Sequence, residues 1–330
     1  MPLNSLLRAF RFRAKPPSTA RVRVVLIGAG RMGQFHLKHL IRNPFVSLVG
    51  IVDPDSDRHQ TLARKYKTTL FADPASLIDK MDAAILATPT ASHAAIGRSL
   101  LEAGISCLIE KPLASTLEDA ESLIRTAASS GAILQVGHIE RFNPAVLEAV
   151  RHIDDPQFIE VNRLGPYDPR VADVGVVLDL MIHDLDMVLF LVGRDVTRVE
   201  AFGAKVLSNH EDIAKVRLHF AGGCIADLSA SRVSLRKYRR IRIFQKNAYL
   251  SIDYAAPQLL IYRKKTDVVK SLSDVSILKP KLSNKDPLAL EQDHFIQCVL
   301  EKRRPVVAGE HGRDALRLAQ DVLNQLKIYA

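Results

Sequence analysis

Residues 22–33 constrain the fold more tightly than any other part of the chain. Residues 22–27 form an apolar run, broken only at Arg23 and ending in glycine, the pattern of a strand buried on both faces of a parallel sheet. The run leads into Gly28-Ala29-Gly30-Arg31-Met32-Gly33, and a helical pattern follows over residues 32–42. A G-x-G-x-x-G between a strand and a helix is the context of a dinucleotide-binding turn. Gly28 makes the tight turn, Gly30 admits a pyrophosphate close to the backbone, and Gly33 lets helix and strand pack closely. Arg31 and Met32 belong to the same cofactor-binding turn, where the N–H groups of a helix N-terminus face the diphosphate.

Asp53 stands 20 residues beyond Gly33, at the end of a second strand over residues 46–52. A carboxylate there accepts hydrogen bonds from the adenosine ribose hydroxyls and repels a 2′-phosphate, so the expected cofactor is NAD. The alternative is that Asp53 only caps the next helix. Strands and helices go on alternating. A strand over 83–87 ends at Thr88-Pro89, the helix after it opens with His93, and a strand over 105–109 ends at Glu110-Lys111-Pro112. A helix over 116–129 and a strand over 133–136 complete the series. Such alternation means an open parallel sheet covered by helices. The α/β nucleotide-binding domain is therefore placed at 21–143. Thr88, Pro89, His93, Glu110 and Lys111 lie at its ligand-binding carboxyl edge, although His93 also suits a helix cap or a solvent-facing position.

From 144 to 330 the pattern changes to many strands and few helices, an α+β domain with a mostly antiparallel sheet. Its strongest helical stretch, 175–192, is apolar apart from a few polar positions. Asp179 and His183 are four apart on one face, and Asp186 lies a turn beyond. Polar groups on an apolar helix need partners or a pocket; a satisfied core histidine or half a metal site would fit as well.

Charge and cysteine usage narrow the class. Six of the 46 basic residues and none of the 36 acidic ones fall within residues 1–23, so the rest of the chain carries only +4 of the formal +10. The basic segment 1–20 reads as a disordered tail ending near Pro16-Pro17-Ser18; an organelle-targeting peptide or a membrane-surface segment has the same composition. A second basic run, 232–246, alternates with apolar residues as a strand with one solvated face does; it could also support a diphosphate-bearing substrate. Nucleic acid is not the expected partner. No apolar run approaches the ~20 residues of a membrane span. Cys107, Cys224 and Cys298 are far apart and without metal-ligand spacing, so no metal and a reducing, cytoplasmic setting are expected.

Hydride transfer from an alcohol to nicotinamide requires a base within reach of the hydroxyl proton. Lys111 suits that task if its surroundings lower its pKa, though a lysine after a strand is also an ordinary surface residue. At this point the motifs coincide with a known family. The fingerprint with His36, Asp53, Thr88-Pro89 with His93, Glu110-Lys111-Pro112 and Asp179-x-x-x-His183 together resemble the Gfo/Idh/MocA oxidoreductases over about residues 21–325. The resemblance implies a Rossmann domain, a C-terminal domain with a large open sheet, and a homodimer or homotetramer built through that sheet. It implies Lys111, Asp179 and His183 as a catalytic trio: His183 as acid/base, Lys111 polarising the oxygen and contacting cofactor, Asp179 orienting them. Lysine and histidine could exchange roles. Possession of all three points to an enzyme rather than a sugar-sensing regulator.

Two stretches, 135–144 and 163–179, narrow the resemblance to members that use NAD to oxidise the 3-hydroxyl of UDP-N-acetylglucosamine. The keto product is then aminated to a diamino sugar for lipid A. Arg141 and Arg163 would lie on the sugar-nucleotide side, or else form salt bridges at the domain junction. Another sugar nucleotide, a free sugar or an inositol remain alternative substrates.

Overall fold

The computed structural model of the chain describes residues 20–169, 173–256 and 258–329. All but the last residue of the basic tail lies outside the described residues. The chain forms two compact units.

The first unit holds β1 (Val22–Ile27), α1 (Arg31–Leu40), β2 (Val46–Val52), α2 (Ser56–Tyr66), β3 (Leu70–Phe71), β4 (Ala83–Leu86), α3 (His93–Glu102), β5 (Ser106–Glu110), α4 (Leu117–Ser130) and β6 (Leu134–Gly137). Its six strands are all parallel, in the order β3-β2-β1-β4-β5-β6. This is the Rossmann order, in which the chain reverses direction between β1 and β4 and leaves a crevice at their carboxyl ends. The apolar stretches have their cause here: Val24, Val25 and Leu26 of β1 are fully buried, because helices cover both faces. Local chemistry sets helix ends. The Thr116 hydroxyl accepts the Asp119 N–H to start α4, and Gly131, at φ 72°, ends it.

The second unit holds α5 (Pro144–Ala149), β7 (Phe158–Leu164), α6 (Ile182–Val192), β8 (Val196–Ala204), β9 (Ile213–Phe220), β10 (Ile225–Ser231), β11 (Tyr238–Gln245), β12 (Ala248–Asp253), β13 (Gln258–Lys264) and β14 (Val275–Leu278). With β15 (Leu326–Tyr329) these strands form one nine-stranded sheet, ordered β14-β13-β12-β11-β7-β10-β9-β8-β15. Only the pairs β7–β10 and β8–β15 are parallel. Strand residues alternate between buried and half-exposed, as in β7, so one face packs on a core and the other does not. The basic run 232–246 supplies β11, where Arg240 pairs with Asp253 and Arg242 with Glu160.

Two expectations are corrected. The helical stretch 175–192 is not one α-helix: Val177–Met181 is a π-helical turn, and α6 starts only at Ile182. Glu211 intervenes at its start, accepting the Val176 N–H on its main-chain oxygen (3.0 Å) and the Val177 N–H on its carboxylate (3.1 Å). Single π turns inside helices are frequent at functional sites. The stretch 144–330 is also not one unit. The chain returns at Lys285–Asp314 to the first unit, which then includes α7 (Pro287–Glu301) and the start of α8 (Gly309–Gln325). Phe295 and Ile296 of α7 share a core with Val24, Leu26, Leu37 and Leu40. Among the described residues, no helix is long and apolar enough to cross a membrane.

Candidate active site

The three fingerprint glycines meet three different demands. Gly28 sits at φ 91°, and a Cβ there would come 2.6 Å from the Ala87 carbonyl oxygen, beyond the end of β4. At Gly33 a Cβ would collide with the Gly28 carbonyl. At Gly30 a Cβ would meet nothing within 4 Å. The protein itself does not need glycine at that position; a ligand occupying the space would. Gly30 is the N-cap of α1, whose first turn has no acidic residue. Helix starts ordinarily recruit Asp or Glu, and leaving this end bare suits an incoming anion. Arg31 and Met32 are exposed at the same end. The residues fit a dinucleotide diphosphate.

Asp53, 9% exposed, accepts the Ala29 N–H (2.7 Å) and the Asp55 N–H (3.0 Å). It thus ties the end of β2 to the fingerprint turn. An ionised carboxylate offers about four lone-pair sites, so these two bonds are compatible with ribose hydroxyls as well.

His93 neither caps a helix nor faces solvent. It is 1% exposed, with Nδ1 3.0 Å from the Pro112 carbonyl oxygen and Nε2 3.0 Å from that of Thr88. Burial lowers its pKa despite the two carbonyls, so the neutral ring donates to one of them at a time. The ring spans the turns after β4 and β5, and its nitrogens point at protein. His93 thus spaces these two turns, each of its ring nitrogens facing a main-chain carbonyl. Thr88 accepts the Ser92 hydroxyl at 2.8 Å, which stiffens the Thr88-Pro89 turn.

Lys111 follows directly on β5, half-buried, and its N–H bonds Glu110 Oε2 at 3.3 Å. Behind it lies a buried polar network. His36 Nε2 is 2.7 Å from Glu110 Oε1, and Gln292 Nε2 lies 2.7 Å from His36 Nδ1 and 3.1 Å from the His36 carbonyl. Because the same amide nitrogen reaches a carbonyl, it is the donor. Nδ1 therefore accepts, and Nε2–H donates to Glu110. Burial alone would raise the Glu110 carboxyl; the His36 bond and the Lys111 charge outweigh it and hold it below the usual range.

In the second unit, Asp179 lies in the π turn and His183 at the start of α6, both half-buried. Asp186 is fully inside. Arg163 is not a substrate-facing cation. It is 3% exposed, forms two 2.8 Å bonds to the Asp184 carboxylate, and lies 5.8 Å over the Tyr254 ring. Ile159 and Val161, on the same face of β7, belong to the core, so the strand turns Arg163 inward. Arg232 likewise bonds Asp212, the Val174 carbonyl and Ser208 instead of a ligand. Arg141, on a 3-10 turn after β6, is 3% exposed. Sequence reasoning missed Glu291, Gln292 and Asp184. The available signal was polar residues at core positions of apolar helices.

Comparison with known proteins agrees with this arrangement. Residues 22–138 match the oxidoreductase family with an NAD-binding Rossmann fold, GFO/IDH/MocA, and residues 152–251 match a GFO/IDH/MocA C-terminal domain. UDP-N-acetylglucosamine 3-dehydrogenase of Acidithiobacillus ferrooxidans is 33% identical over 91% of this chain and 96% of that protein. Its solved structure superposes with a TM-score of 0.87 over 93% of this chain and 98% of the other. scyllo-Inositol 2-dehydrogenase (NAD(+)) of Bacillus subtilis is 28% identical over 87% of this chain and 89% of its own length.

Proposed function

We propose, for a chain that belongs to the Gfo/Idh/MocA oxidoreductase family, that it oxidises the 3-hydroxyl of UDP-N-acetylglucosamine with NAD. The observation that carries this reading is the 33% identity to the Acidithiobacillus enzyme across 91% of the chain, both units included. The NAD-binding Rossmann domain supplies the cofactor turn. When bound there, the nicotinamide accepts a hydride. The chain's own residues handle the rest. His183 takes the hydroxyl proton, Lys111 polarises the oxygen and contacts cofactor, and Asp179 orients them. Arg141 is kept as a substrate-side residue; Arg163 is not. The keto sugar nucleotide then serves an amination step towards the diamino sugar of lipid A, in the cytoplasm. The inositol dehydrogenase relative supports the second reading, an inositol or free sugar as substrate.

The half-exposed sheet face supports a homo-oligomer. Phe158, Phe244, Tyr249 and Tyr262 form an aromatic ladder across β7, β11, β12 and β13, with neighbouring rings 4.8–5.6 Å apart. Tyr249→Glu should lower the mass measured by light scattering; an unchanged mass refutes that contact.

The deciding test is NADH formation from NAD and UDP-N-acetylglucosamine, with an aminotransferase and amino donor removing the keto product. Formation that stops in Lys111→Ala is expected. No NADH, with NAD binding intact by calorimetry, overturns the substrate and redirects the search to inositols.

A further inference from the structure

One buried acid behind the Lys111 turn has no evident task. Glu291 on α7 is 0% exposed, and neither carboxyl oxygen has a hydrogen-bond partner. Its carboxyl, that of Glu110 and a His36 ring nitrogen offer atoms that all lie within 4.8 Å of one another. Two further orphan acceptors, Gln135 Oε1 and Gln292 Oε1, belong to side chains whose amide nitrogens bond the Glu291 carbonyl and His36. The unpaired atoms here are all acceptors, and a dry locus of acceptors calls for a cation or a proton. A metal would compete for His36, whose two nitrogens already meet Gln292 and Glu110 at 2.7 Å each. With His36 in its Nε2–H form, two ionised carboxylates would stand together in the core without a cation between them. One proton removes that conflict.

We propose that Glu291 is a positioning residue that works as a neutral carboxylic acid. It carries the one proton that lets Glu110 stay ionised, hold His36 and fix the main chain at Lys111. The consequence for catalysis rests on the role proposed above for Lys111; the protonation itself does not.

The surroundings agree. The elements packed on α7 bring His36 from α1, Glu140 and Arg141 on the 3-10 turn after β6, and from β1 the exposed Arg23, which pairs with Asp82; Glu110, at the end of β5, lies in the same cluster. On α7 itself, Asp293 is also raised by burial, and burial and the Arg303 charge push His294 down to about 3, so that ring is neutral. Burial and the Glu110 charge both raise the Glu291 carboxyl well above its usual range. An unfolded glutamate titrates near ~4.3. Above that pH the folded protein keeps a proton the unfolded chain has lost. Stability from this group is full below ~4.3 and falls as pH rises, until Glu291 ionises in the folded state. One such proton changes the folding equilibrium by about tenfold per pH unit.

Glu291→Gln keeps the shape and needs no proton. Urea denaturation of both proteins, from about pH 5 to 8, should show the variant gaining on wild type by up to tenfold per pH unit. A difference that stays flat with pH overturns the proposal. Infrared spectra of wild type at neutral pH should contain a carboxylic-acid carbonyl band that Glu291→Gln lacks; no such band overturns it too. So does a stoichiometric metal in purified wild type that is lost in the variant. Glu291→Ala should lower kcat by about tenfold or more, with Gln restoring it. If Ala does not fold, the pH dependence with Gln still decides. None of the stability or infrared readouts needs turnover, so this proposal and the substrate assignment fail separately.

Discussion

The same substitution at two fingerprint glycines should produce opposite phenotypes. At Gly28, alanine needs a left-handed backbone at φ 91° and places Cβ 2.6 Å from the Ala87 carbonyl oxygen and 2.7 Å from its carbon. The conformation costs ~1–2 kcal/mol, and forcing apart two main-chain segments costs a further ~1–3 kcal/mol. A loss of ~2–5 kcal/mol at about 2–4 °C per kcal/mol lowers the melting temperature by roughly 4–20 °C. At Gly30 the backbone, φ −61° and ψ −167°, accepts any L-residue, and a Cβ meets open space. Alanine is a poorer N-cap by ~0.5–1 kcal/mol, while the stiffer unfolded chain returns ~0.4–1 kcal/mol. Melting of the free protein should barely move. The new methyl instead occupies the approach of the diphosphate to the start of α1. Losing one charge-assisted N–H bond costs ~1.5–3 kcal/mol, or about 10–100-fold in affinity. Thermal melts with and without NAD, together with calorimetric titration, separate the two. Unchanged NAD affinity in Gly30→Ala would refute the assignment of that space to cofactor, and a Gly28→Ala protein as stable as wild type would refute the steric argument.

Asp53→Asn keeps an acceptor for the Ala29 N–H but removes the charge that repels a 2′-phosphate. The NADP-to-NAD preference, measured by titrating each cofactor, should rise at least ~fivefold for a repulsion of about 1 kcal/mol or more; an unchanged ratio removes Asp53 from cofactor selection. Arg163→Leu strands the Asp184 carboxylate in the core and should cost ~3–5 kcal/mol, with most of it recovered when Asp184 is also made leucine. If Arg163→Lys instead raises KM with stability intact, Arg163 faces substrate after all. Asp212 accepts N–H bonds from Val206, Leu207 and Ser208 and a 2.6 Å bond from Arg232. Burial raises its carboxyl, and these bonds together bring it far below the usual range. Its stabilising effect is present above ~4, where an unfolded aspartate is ionised, and is lost as pH falls below that. The stability gap between wild type and Asp212→Asn should therefore close in acid, and a gap independent of pH would contradict this.

What could be read in the sequence was whatever depends on neighbouring residues. Gly28 and Gly33 are demanded by a turn a few residues long and Gly30 by the ligand that turn would hold, and the apolar runs within β1, β4 and β5 follow from burial on both faces. Those signals fix a parallel sheet and place Lys111 after β5. The basic alternation of 232–246 gave β11 for the same local reason. What was not legible depends on distant partners. The helix at 287–301 shows by its pattern that it buries a face, but not that it joins the core of Val24 and Leu26, more than 260 positions earlier. The π turn at Val177–Met181 starts on Glu211, 34 residues from Val177, so helical periodicity around Asp179 gave no warning. Arg163 shows the limit most clearly. An arginine amid apolar residues looks the same in sequence whether it meets a diphosphate or an aspartate. Only the pairing of β7 with its neighbours turns this one inward to Asp184, 21 residues away. Glu291 is the converse. Its charge in sequence suggests a solvated helix face, and its place between Glu110 and His36 requires the acid to keep its proton.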